Sequence, residues 1–491
     1  MIPYEDISNV DRTKAVVSAT EIIEKGWARR KYPVISLNEP IPWALRTQQE
    51  RSWNFYIHCW DMLDSLLKAY SETQEQQFLR PAIRIAGDWA DKHSNLSQAD
   101  MSPLAWYDMA VGLRAYRLAY IIDAGKAAGL LDQDLHSKLW ASLEQHQAYL
   151  ADDKNILFHN NHGYYQVAGQ LAMGRRFADE SPLMAQALKQ GKERLNIMLA
   201  QQFGKDGIHR EHSPDYHRMV YDTLKAMIDS GLVEDADTIA CAETIEKALS
   251  WFVLPSQHIV NFGDSDYRLM RRKPDEAERK WRTPEMRYAV SGGKVGQLPA
   301  EHLAVFPESG YIAVRTPAKD APQDFSKSSY LAQMAAFHSR THKQADDLSF
   351  IWSDRGSDIL VDAGRYGYLG KTEQGSELWL DGHWYSDPNR VYCESTRAHN
   401  TLEFDGKNYP RKGPKPYGSA LRRWVQDASG IVAVETECKH FHSVRRVRML
   451  LFLPGKWLVA LDWFHDNAQQ PHGAKQWFHL APHLQLLLQG G

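Results

Sequence analysis

The segment Phe337–Tyr368 places histidine, carboxylate and amide side chains at the ends of two strand-like runs. The runs Leu348–Trp352 and Ile359–Val361 are rich in apolar and β-branched residues, and a polar Ser-Asp-Arg-Gly-Ser segment separates them. This pattern predicts a β-hairpin with a polar turn. Because a hairpin brings its two open ends together, we expect the flanking polar side chains to meet at one site. Those side chains are His338, His342, Gln344, Asp346, Asp347, Asp362, Arg365, Tyr366 and Tyr368.

Three further polar clusters interrupt the apolar pattern that precedes this hairpin. The first, Asn160-Asn161-His162, stands before an apolar helical segment, where an amide either takes part in chemistry or caps the helix. The second is Asp206–His217, in which Ser213-Pro214 predicts a helix start that puts Tyr216 one turn in. The third, Asn261–Asp266, has the composition of a loop, and ordinary turn chemistry accounts for it.

The elements that must position these clusters change from helices to strands along the chain. Apolar residues recur at three-to-four spacing up to about residue 290, which predicts helix pairs arranged as a solenoid or a closed (α/α) toroid. The predicted helices include Trp53–Tyr70, Ala82–Trp89, Ala110–Ile122 and Lys138–Tyr149. Helix stop and start signals stand at Asn95, at Ser102-Pro103 and at Gly129.

The last two fifths of the chain favour an antiparallel β-sandwich. The predicted strands are Tyr311–Arg315, Leu348–Trp352, Ile359–Val361, Asn400–Phe404, Ile431–Glu435, Val444–Leu453 and Trp457–Asp462. A glycine-rich stretch after Ser291 resembles a linker, so we predict an α+β chain with a helical domain at residues 1–295 and a sandwich at 296–491. The sandwich is expected to be small or truncated at its C-terminus.

Composition excludes several classes of protein. With 58 basic and 61 acidic residues and a formal net charge of -3, the chain gives no bulk reason to expect nucleic acid or an anionic membrane as partner. The four cysteines show no CxxC spacing, which argues against a zinc ribbon or a disulfide scaffold. No segment has the pattern of a leader peptide or the length of a membrane span, so we expect a soluble protein. It is periplasmic if a leader has been removed and cytoplasmic otherwise.

The motifs, taken in order, resemble those of the heparinase II/III superfamily of polysaccharide lyases, from about residue 40 to about residue 480. The helical half contributes Asn161-His162-Gly163 and Glu211-x-Ser213-Pro214-x-Tyr216-His217, and the sandwich contributes His342-Lys-Gln344-Ala-Asp-Asp347, Leu360-Val-Asp362-x-Gly364-x-Tyr366 and Arg397-Ala-His399-Asn400-Thr401. The resemblance implies the toroid-plus-sandwich fold and cleavage of an acidic polysaccharide or oligosaccharide by β-elimination at a uronic acid.

The resemblance also implies roles for individual catalytic residues. Asn161 and the adjacent His162 match the position that neutralises the uronate carboxylate, which is needed because a carbanion beside a free carboxylate is too costly. Tyr216 matches the catalytic tyrosine, and His342 matches the active-site histidine, as a second base or a carboxylate ligand. A phenol with a pKa of ~10 is a weak base, so we expect neighbours to lower that pKa. The candidate neighbours are Arg210, His212, His217 and His342.

A metal site is implied by the same resemblance. In relatives a divalent cation is bound at positions that correspond here to Gln344, Asp362 and His399. Glutamine makes the set harder than a typical zinc site, so zinc and calcium are both open, and the expected role is to orient His342. The alternative is a hydrogen-bonded polar cluster that holds the strands together.

Substrate contacts are expected from arginines, aromatic rings and one carboxylate. The candidates are Trp106, Tyr107, Arg114, Glu211, Arg340, Arg365, Arg390 and Tyr392, with Arg390 and Tyr392 favoured. Each also has an ordinary explanation as a surface ion pair or a core ring. Two other classes stay open: a toroid glycoside hydrolase using Glu211 with Asp108 or Asp264, and a glycan-binding protein without catalysis. The particular glycan, endo or exo action and the oligomeric state are not predicted.

Overall fold

The computed structural model describes residues 2–7, 14–29, 32–44, 51–93, 102 and 104–485. The chain forms two compact units, each assembled from segments that are not contiguous in sequence. Unit 1 comprises residues 1–201 and 222–239, and unit 2 comprises residues 202–221 and 240–491. The predicted boundary between residues 295 and 296 stays a prediction. No helix among the described residues has both the length and the apolar character that crossing a membrane requires.

Unit 1 is built from helices, as the periodicity predicts. They are α1 (Ala15–Lys25), α2 (Arg51–His58), α3 (Asp64–Thr73), α4 (Gln76–His93), α5 (Asp108–Ala127), α6 (Gln133–Ala151), α7 (His162–Phe177) and α8 (Pro182–Gln202), with the second half of α9 (Pro214–Asp229) and the start of α10 (Ala236–Ser250). The predicted helices in α4, α5 and α6 are confirmed. The stop signal at Gly129 is a left-handed residue after α5, whereas Asn95 and Pro103 lie outside the described residues.

The single helix predicted over Trp53–Tyr70 is wrong, because the chain breaks it into α2 and α3. Trp60 has a φ of 64°, in the left-handed region, and a short 3₁₀ turn at Asp61–Leu63 follows it. Trp60 is fully buried, so tertiary packing of a large indole overrides the helical pattern at this point.

Glycines allow α5 and α7 to approach each other closely. A Cβ added to Gly112 would lie 2.2 Å from the carbonyl oxygen of Tyr165, and one added to Gly169 would lie 2.6 Å from the carbonyl oxygen of Gly112. Helix α5 is buried along most of its length and therefore carries little amphipathic signal. The α5–α7 contact sets the position of the start of α7, which carries Asn161 and His162.

Unit 2 adds short helices and thirteen strands among its described residues. The helices are α11 (Pro274–Lys280), α12 (Pro284–Ser291), α13 (Glu377–Leu380) and α14 (Pro388–Cys393). The strands are β1 (Leu303–Phe306), β2 (Tyr311–Arg315), β3 (Tyr330–Met334), β4 (Ala336–Phe337), β5 (Phe350–Asp354), β6 (Ser357–Leu360), β7 (Leu402–Phe404), β8 (Gly418–Ser419), β9 (Leu421–Gln426), β10 (Val432–Phe441), β11 (Val444–Leu453), β12 (Trp457–Asp466) and β13 (Ala474–Gln476).

Two antiparallel sheets make the sandwich, in the orders β1-β2-β3-β5-β6 and β12-β11-β10-β9. The hairpin predicted around residues 353–357 is confirmed, since β5 pairs with β6 through Ser353↔Asp358 and Asp354↔Ser357. Every predicted strand overlaps an observed one, although β1, β3, β4, β8, β9 and β13 were not predicted. The fold class, a helical N-terminal region followed by an antiparallel sandwich, is therefore confirmed.

The first sheet is buried on both faces. Tyr311 and Ala313 of β2 pack into one core cluster with Trp251 and Phe252, while the alternate residues Ile312 and Val314 face the second sheet. Five successive buried residues in β2 follow from this arrangement, because a strand covered on both sides needs apolar residues at every position.

We expect Gly112→Ala to destabilise the helical unit, because its new methyl group has only backbone to meet. Overpacking of this kind costs about 1–3 kcal/mol or more, measured as the free energy of unfolding in urea. Gly87→Ala is the matched control: its Cβ meets only the end of the Leu135 side chain at 3.3 Å, and helix propensity favours alanine by about 1 kcal/mol. Equal stability of the two variants would contradict the close α5–α7 contact.

Candidate active site

Tyr216 lies in the first turn of α9, as the Ser-Pro signal predicts. The Ser213 hydroxyl accepts a hydrogen bond from the Tyr216 backbone N–H at 3.2 Å, so Ser213 caps the helix. That hydroxyl also lies 2.7 Å from the hydroxyl of Ser265, which ties the helix start to the Asn261–Asp266 loop. The tyrosine side chain is thus placed by two fixed backbone segments of unit 2.

The Tyr216 ring and hydroxyl each have a defined partner. The ring stacks on the imidazole of His342, with centroids 3.6 Å apart and planes inclined by 22°. The hydroxyl lies 3.0 Å from the hydroxyl of Tyr368, which in turn donates to Asp264 Oδ2 at 3.4 Å. Arg365 Nη1 lies 3.5 Å from the Tyr368 oxygen. These contacts bring together two phenols, an imidazole, a guanidinium and a carboxylate within unit 2.

Asp264 is the centre of this network. Its carboxylate is buried and pairs with the Arg390 guanidinium at 2.6 and 2.7 Å. It also accepts hydrogen bonds from His342 Nδ1 at 3.1 Å and Gln344 Nε2 at 3.0 Å. Burial alone would raise the pKa of Asp264, but the hydrogen bonds from His342 and Arg390 outweigh it and hold the pKa well below its usual range. Asp264 is therefore an ionised acceptor, and His342 carries a proton on Nδ1.

The backbone around the site requires a glycine. His212 and His342 have φ values of 61° and 55°, which only a small fraction of non-glycine residues adopt. A Cβ on Gly263 would lie 2.6 Å from the carbonyl oxygens of both residues. Non-glycine residues in this region cost of order 1–3 kcal/mol each and cluster at functional sites, which supports a functional interpretation of this loop pair.

The expected lowering of the Tyr216 pKa is not found. Burial raises the pKa of Tyr216 above its ordinary value, and the hydrogen bond with Tyr368 and the charge of Arg365 offset this only in part. Of the four expected neighbours, His342 contacts the ring.

The other three neighbours are engaged elsewhere. Arg210 pairs with Glu308. His217 Nε2 lies 3.0 Å from the Ile245 carbonyl oxygen. His212 accepts a hydrogen bond from the His338 backbone N–H at 2.9 Å, and burial keeps its pKa well below the usual value.

Glu211 lies next to His342 and not at the surface. Its Oε2 is 3.6 Å from His342 Nε2, so the imidazole stands between the carboxylates of Glu211 and Asp264. In a hydrolase an ionised Asp264 could serve only as the base or nucleophile, with Glu211 as the acid, and the His342 imidazole stands between these two carboxylates.

Two of the three predicted metal ligands, Asp362 and His399, are in contact in unit 2, and Gln344 Nε2 donates to the Gly364 carbonyl at 3.1 Å. His399 Nδ1 lies 2.9 Å from Asp362 Oδ2, and Asp362 Oδ1 accepts from the Gly364 backbone N–H at 3.0 Å. His399 Nε2 and Gln344 Oε1 are both buried without a hydrogen-bond partner among the described residues. A histidine whose other nitrogen donates to a carboxylate is the usual arrangement of a metal ligand, so His399 Nε2 and Gln344 Oε1 are the atoms available to a cation and Asp362 orients the His399 ring. Among the described residues, no group of three His, Cys, Asp or Glu side chains could hold a metal ion.

Asn161 and His162 lie in unit 1 at the start of α7. Asn161 occupies the cap position, but its side chain makes no capping hydrogen bond, which removes the main argument for a purely structural role. His162 Nδ1 is 2.7 Å from Asp108 Oδ2, and the ring lines a cavity of about 310 Å³ with Phe55, Tyr56 and Tyr107.

The expected substrate contacts divide into buried and accessible groups. Arg114 is fully buried, where its guanidinium donates to His146 and to the His58 carbonyl, so it offers no surface to a substrate in this structure. Trp106 is half-buried and donates to the His93 carbonyl at 3.2 Å. Arg390 is also buried and holds Asp264, whereas Tyr392 is exposed.

Sequence reasoning missed part of the network. Asp264 was interpreted as turn chemistry, and Tyr368 was noted only as a member of the hairpin's flank. The sequence did contain a signal: the loop has two aspartates, Asp264 and Asp266, in addition to an asparagine and a glycine. A turn alone does not need that many polar residues. Asp266 pairs with Arg365, and this pair fixes the guanidinium that faces Tyr368.

The helical N-terminal region and the antiparallel sandwich each match a family model. The model for the heparinase II/III N-terminus matches residues 3–279, and the model for the heparinase II/III-like C-terminal domain matches residues 298–490. The chain belongs to the heparinase II/III-like family, which confirms the resemblance that the motifs indicate. No curated protein sequence matches it.

Solved structures with the same fold have low sequence identity to this chain. A heparan sulfate lyase, HepC from Pedobacter heparinus, is 18% identical, with a TM-score of 0.70 over 94% of this chain and 71% of that one. A heparinase III structure is 17% identical, with a TM-score of 0.69 over 93% of this chain and 72% of that one. A second heparinase III structure is 15% identical, with a TM-score of 0.66 over 94% and 72% of the two chains.

We predict that Glu394 stabilises the site in a pH-dependent manner. Burial raises its pKa, but the hydrogen bond from His383 and the charges of Arg411 and Arg390 lower it from 4.5 to about 2. A depressed carboxylate pKa contributes stability that is present above pH ~4.5 and is lost as the pH falls towards ~2, on the order of 3 kcal/mol in total.

Glu394→Gln, which removes this titration, should therefore lose its stability deficit relative to wild type as the pH falls. The measurement is urea unfolding of both proteins between pH 7 and pH 3. A deficit that is the same at every pH would show that folding does not lower the pKa of Glu394.

Proposed function

We propose that the protein cleaves a uronic-acid-containing glycan by β-elimination and leaves an unsaturated uronate at the new end. The observation that carries the proposal is the contact of Tyr216 with His342 and Tyr368 over the Asp264–Arg390 ion pair. Family membership and the lyases among the similar structures support the same reaction. A glycosaminoglycan-like polysaccharide or a bacterial exopolysaccharide is the proposed substrate.

In this mechanism Tyr216 removes the proton from C5 of the uronate and delivers a proton to O4 of the leaving sugar. The C4–O4 bond breaks as the C4–C5 double bond forms. Because the resting phenol has a raised pKa, it needs Tyr368 and Arg365 to stabilise the phenolate. His342 directs Nδ1 to Asp264, and its ring stacks on Tyr216. It is proposed to orient the substrate carboxylate.

Asn161 and His162 are proposed to neutralise the uronate carboxylate, on the strength of the family motif and of the uncapped amide. A neutral donor lowers the cost of the developing enolate without a full charge. Asp108 would fix the His162 ring through its hydrogen bond. The unit 1 cavity beside His162 has the aromatic lining that suits a sugar ring.

A divalent cation, zinc or calcium, is proposed at Gln344, Asp362 and His399. The unpartnered Gln344 Oε1 and His399 Nε2 support it. Its chemistry would be structural: it would hold the strand ends that carry these side chains and leave Gln344 Nε2 free to bind Asp264. The alternative is a hydrogen-bonded polar cluster without a metal, and the experiment that tests the metal site also tests this alternative.

Tyr216→Phe should reduce kcat/KM by about a hundredfold to ten-thousandfold, the usual contribution of a general acid–base group, while the melting temperature changes little. Tyr288→Phe, which removes a phenol outside the site, is the control. The assay is a panel of uronate polysaccharides followed by ultraviolet absorbance of the unsaturated end. Activity within about tenfold of wild type would remove Tyr216 from catalysis, and new reducing ends without absorbance would indicate a hydrolase.

Purified protein should contain one equivalent of divalent metal, and a chelator should lower its melting temperature. A ligand at 100 times its Kd stabilises the folded state by about 2.7 kcal/mol. Asp362→Ala should melt lower and no longer respond to the chelator, whereas Asp358→Ala on the same hairpin should respond as wild type does. Elemental analysis without stoichiometric metal, combined with no chelator effect on wild type, would favour the polar cluster.

A further inference from the structure

A hairpin-like segment leads from the catalytic network to a second cleft in unit 2. The Ile259 N–H donates to the Arg268 carbonyl at 2.9 Å, and the Met270 N–H donates to the Gln257 carbonyl at 2.7 Å. Asp264 lies at the tip of this segment and Arg271 at its base. Seven residues of extended chain span at most on the order of 23 Å. The base is therefore within reach of a polymer that occupies the tip.

A cleft of about 510 Å³ lies at the base and is rich in cations. Four cationic side chains line it, namely Arg271, Arg272, Lys273 and Lys294, against two carboxylates, Glu276 and Asp324. Asp324 is occupied by hydrogen bonds from Ser326, and Glu276 accepts from the Lys273 backbone N–H. Among the described residues none of the four cations forms an ion pair within 4.0 Å. The cleft therefore has a net positive charge of two in a chain whose net charge is -3.

Hydrogen bonds to uncharged acceptors hold the side chains at one wall of the cleft. Arg271 Nε donates to Gln257 Oε1 at 2.7 Å, and Gln257 Nε2 donates to the Val290 carbonyl at 2.6 Å. These bonds orient the Arg271 side chain without neutralising its charge. Like charges that line one cleft repel one another, so an anion bound between them would relieve that repulsion.

The segment between tip and base presents an exposed ring. Tyr267 is 44% exposed and stacks on His258, with centroids 4.2 Å apart and planes within 6°. Its hydroxyl donates to Asp358 at 2.6 Å, which fixes the ring. This segment therefore carries a fixed, partly exposed aromatic ring and also contributes Leu269 and Arg271 to the basic cleft, and aromatic rings and cations are the two groups that recognise an acidic sugar chain.

We propose that this cleft is an exosite that binds carboxylate or sulfate groups of an anionic polysaccharide away from the point of cleavage. The guanidinium groups of Arg271 and Arg272 suit bidentate pairing with such anions. The exosite would retain a long chain while the Tyr216 site acts on one uronate. This inference uses the proposed substrate class, but its test measures binding and does not need turnover.

The test compares two double variants. The first, Arg271→Glu with Lys294→Glu, changes the cleft. The second, Lys407→Glu with Lys456→Glu, is the control, because it changes the net charge equally at exposed positions elsewhere in unit 2. Both are made in the Tyr216→Phe background, so that the probes stay intact. The probes are fluorescent heparin and alginate chains of about 20 sugars, a heparin tetrasaccharide and a single-stranded oligonucleotide of similar charge. Thermal melting first establishes that all variants are folded.

We expect the first double variant to bind the long chains about tenfold more weakly than the control at low salt, with a shallower dependence of Kd on salt. Tetrasaccharide binding should be equal in the two. Equal affinity for the long chains would overturn the exosite, as would a parallel loss for the tetrasaccharide, which would assign the cleft to the cleavage site. Oligonucleotide binding that matches the glycans and falls with the same variant would overturn the glycan assignment.

Failure of the proposed function is distinguishable from failure of the exosite. A wild-type protein that generates no unsaturated end from any polysaccharide would contradict the lyase, whereas the difference in binding between the two double variants would still support the exosite. The reverse result, with cleavage intact and no difference in binding, would overturn the exosite alone.

Discussion

A buried carboxylate must be paired, and in this protein that requirement organises the site. Asp264 is almost completely buried, and removing an ion of its size from water costs several kcal/mol unless donors replace the lost hydration. Arg390, His342, Gln344 and Tyr368 supply those donors. The same carboxylate therefore fixes the positions of all four side chains. The stack of Tyr216 on His342 follows, because the imidazole cannot rotate without breaking its bond to Asp264.

The motif residues were predictable from the sequence, whereas their partners were not. Tyr216 follows a Ser-Pro helix start, and His342 precedes a hairpin that the β-branched runs indicate. Asp264 meets His342 and Arg390 across 78 and 126 residues of chain, and nothing local marks such a pairing. For the same reason Arg390 was interpreted as a substrate contact, and the interior position of Arg114, which binds His146 and His58, was not expected. Local patterns report helices, strands and caps, but not which distant charge will be buried opposite another.

The resting electrostatics of the site favour a protonated Tyr216. Burial raises its pKa, and the carboxylates of Asp264 and Glu211 oppose a phenolate. Arg365 is the cation that offsets them, and Asp266 fixes its position. If Tyr216 is the base, it must first give up its own proton, and its hydrogen bond with the Tyr368 hydroxyl offers a route, since Tyr368 can pass its own proton to the Asp264 carboxylate. A site that is uncharged at the phenol until substrate arrives also avoids repelling an anionic glycan.

The two units interleave along the chain, because residues 202–221 belong with 240–491. Tyr216 and Asp264 precede the glycine-rich stretch after Ser291, and His342 and Arg390 follow it, yet all four lie in unit 2. Joining the first 295 residues of one homologue to the sandwich of another would therefore separate Tyr216 and Asp264 from the His342 and Arg390 side chains that they contact here.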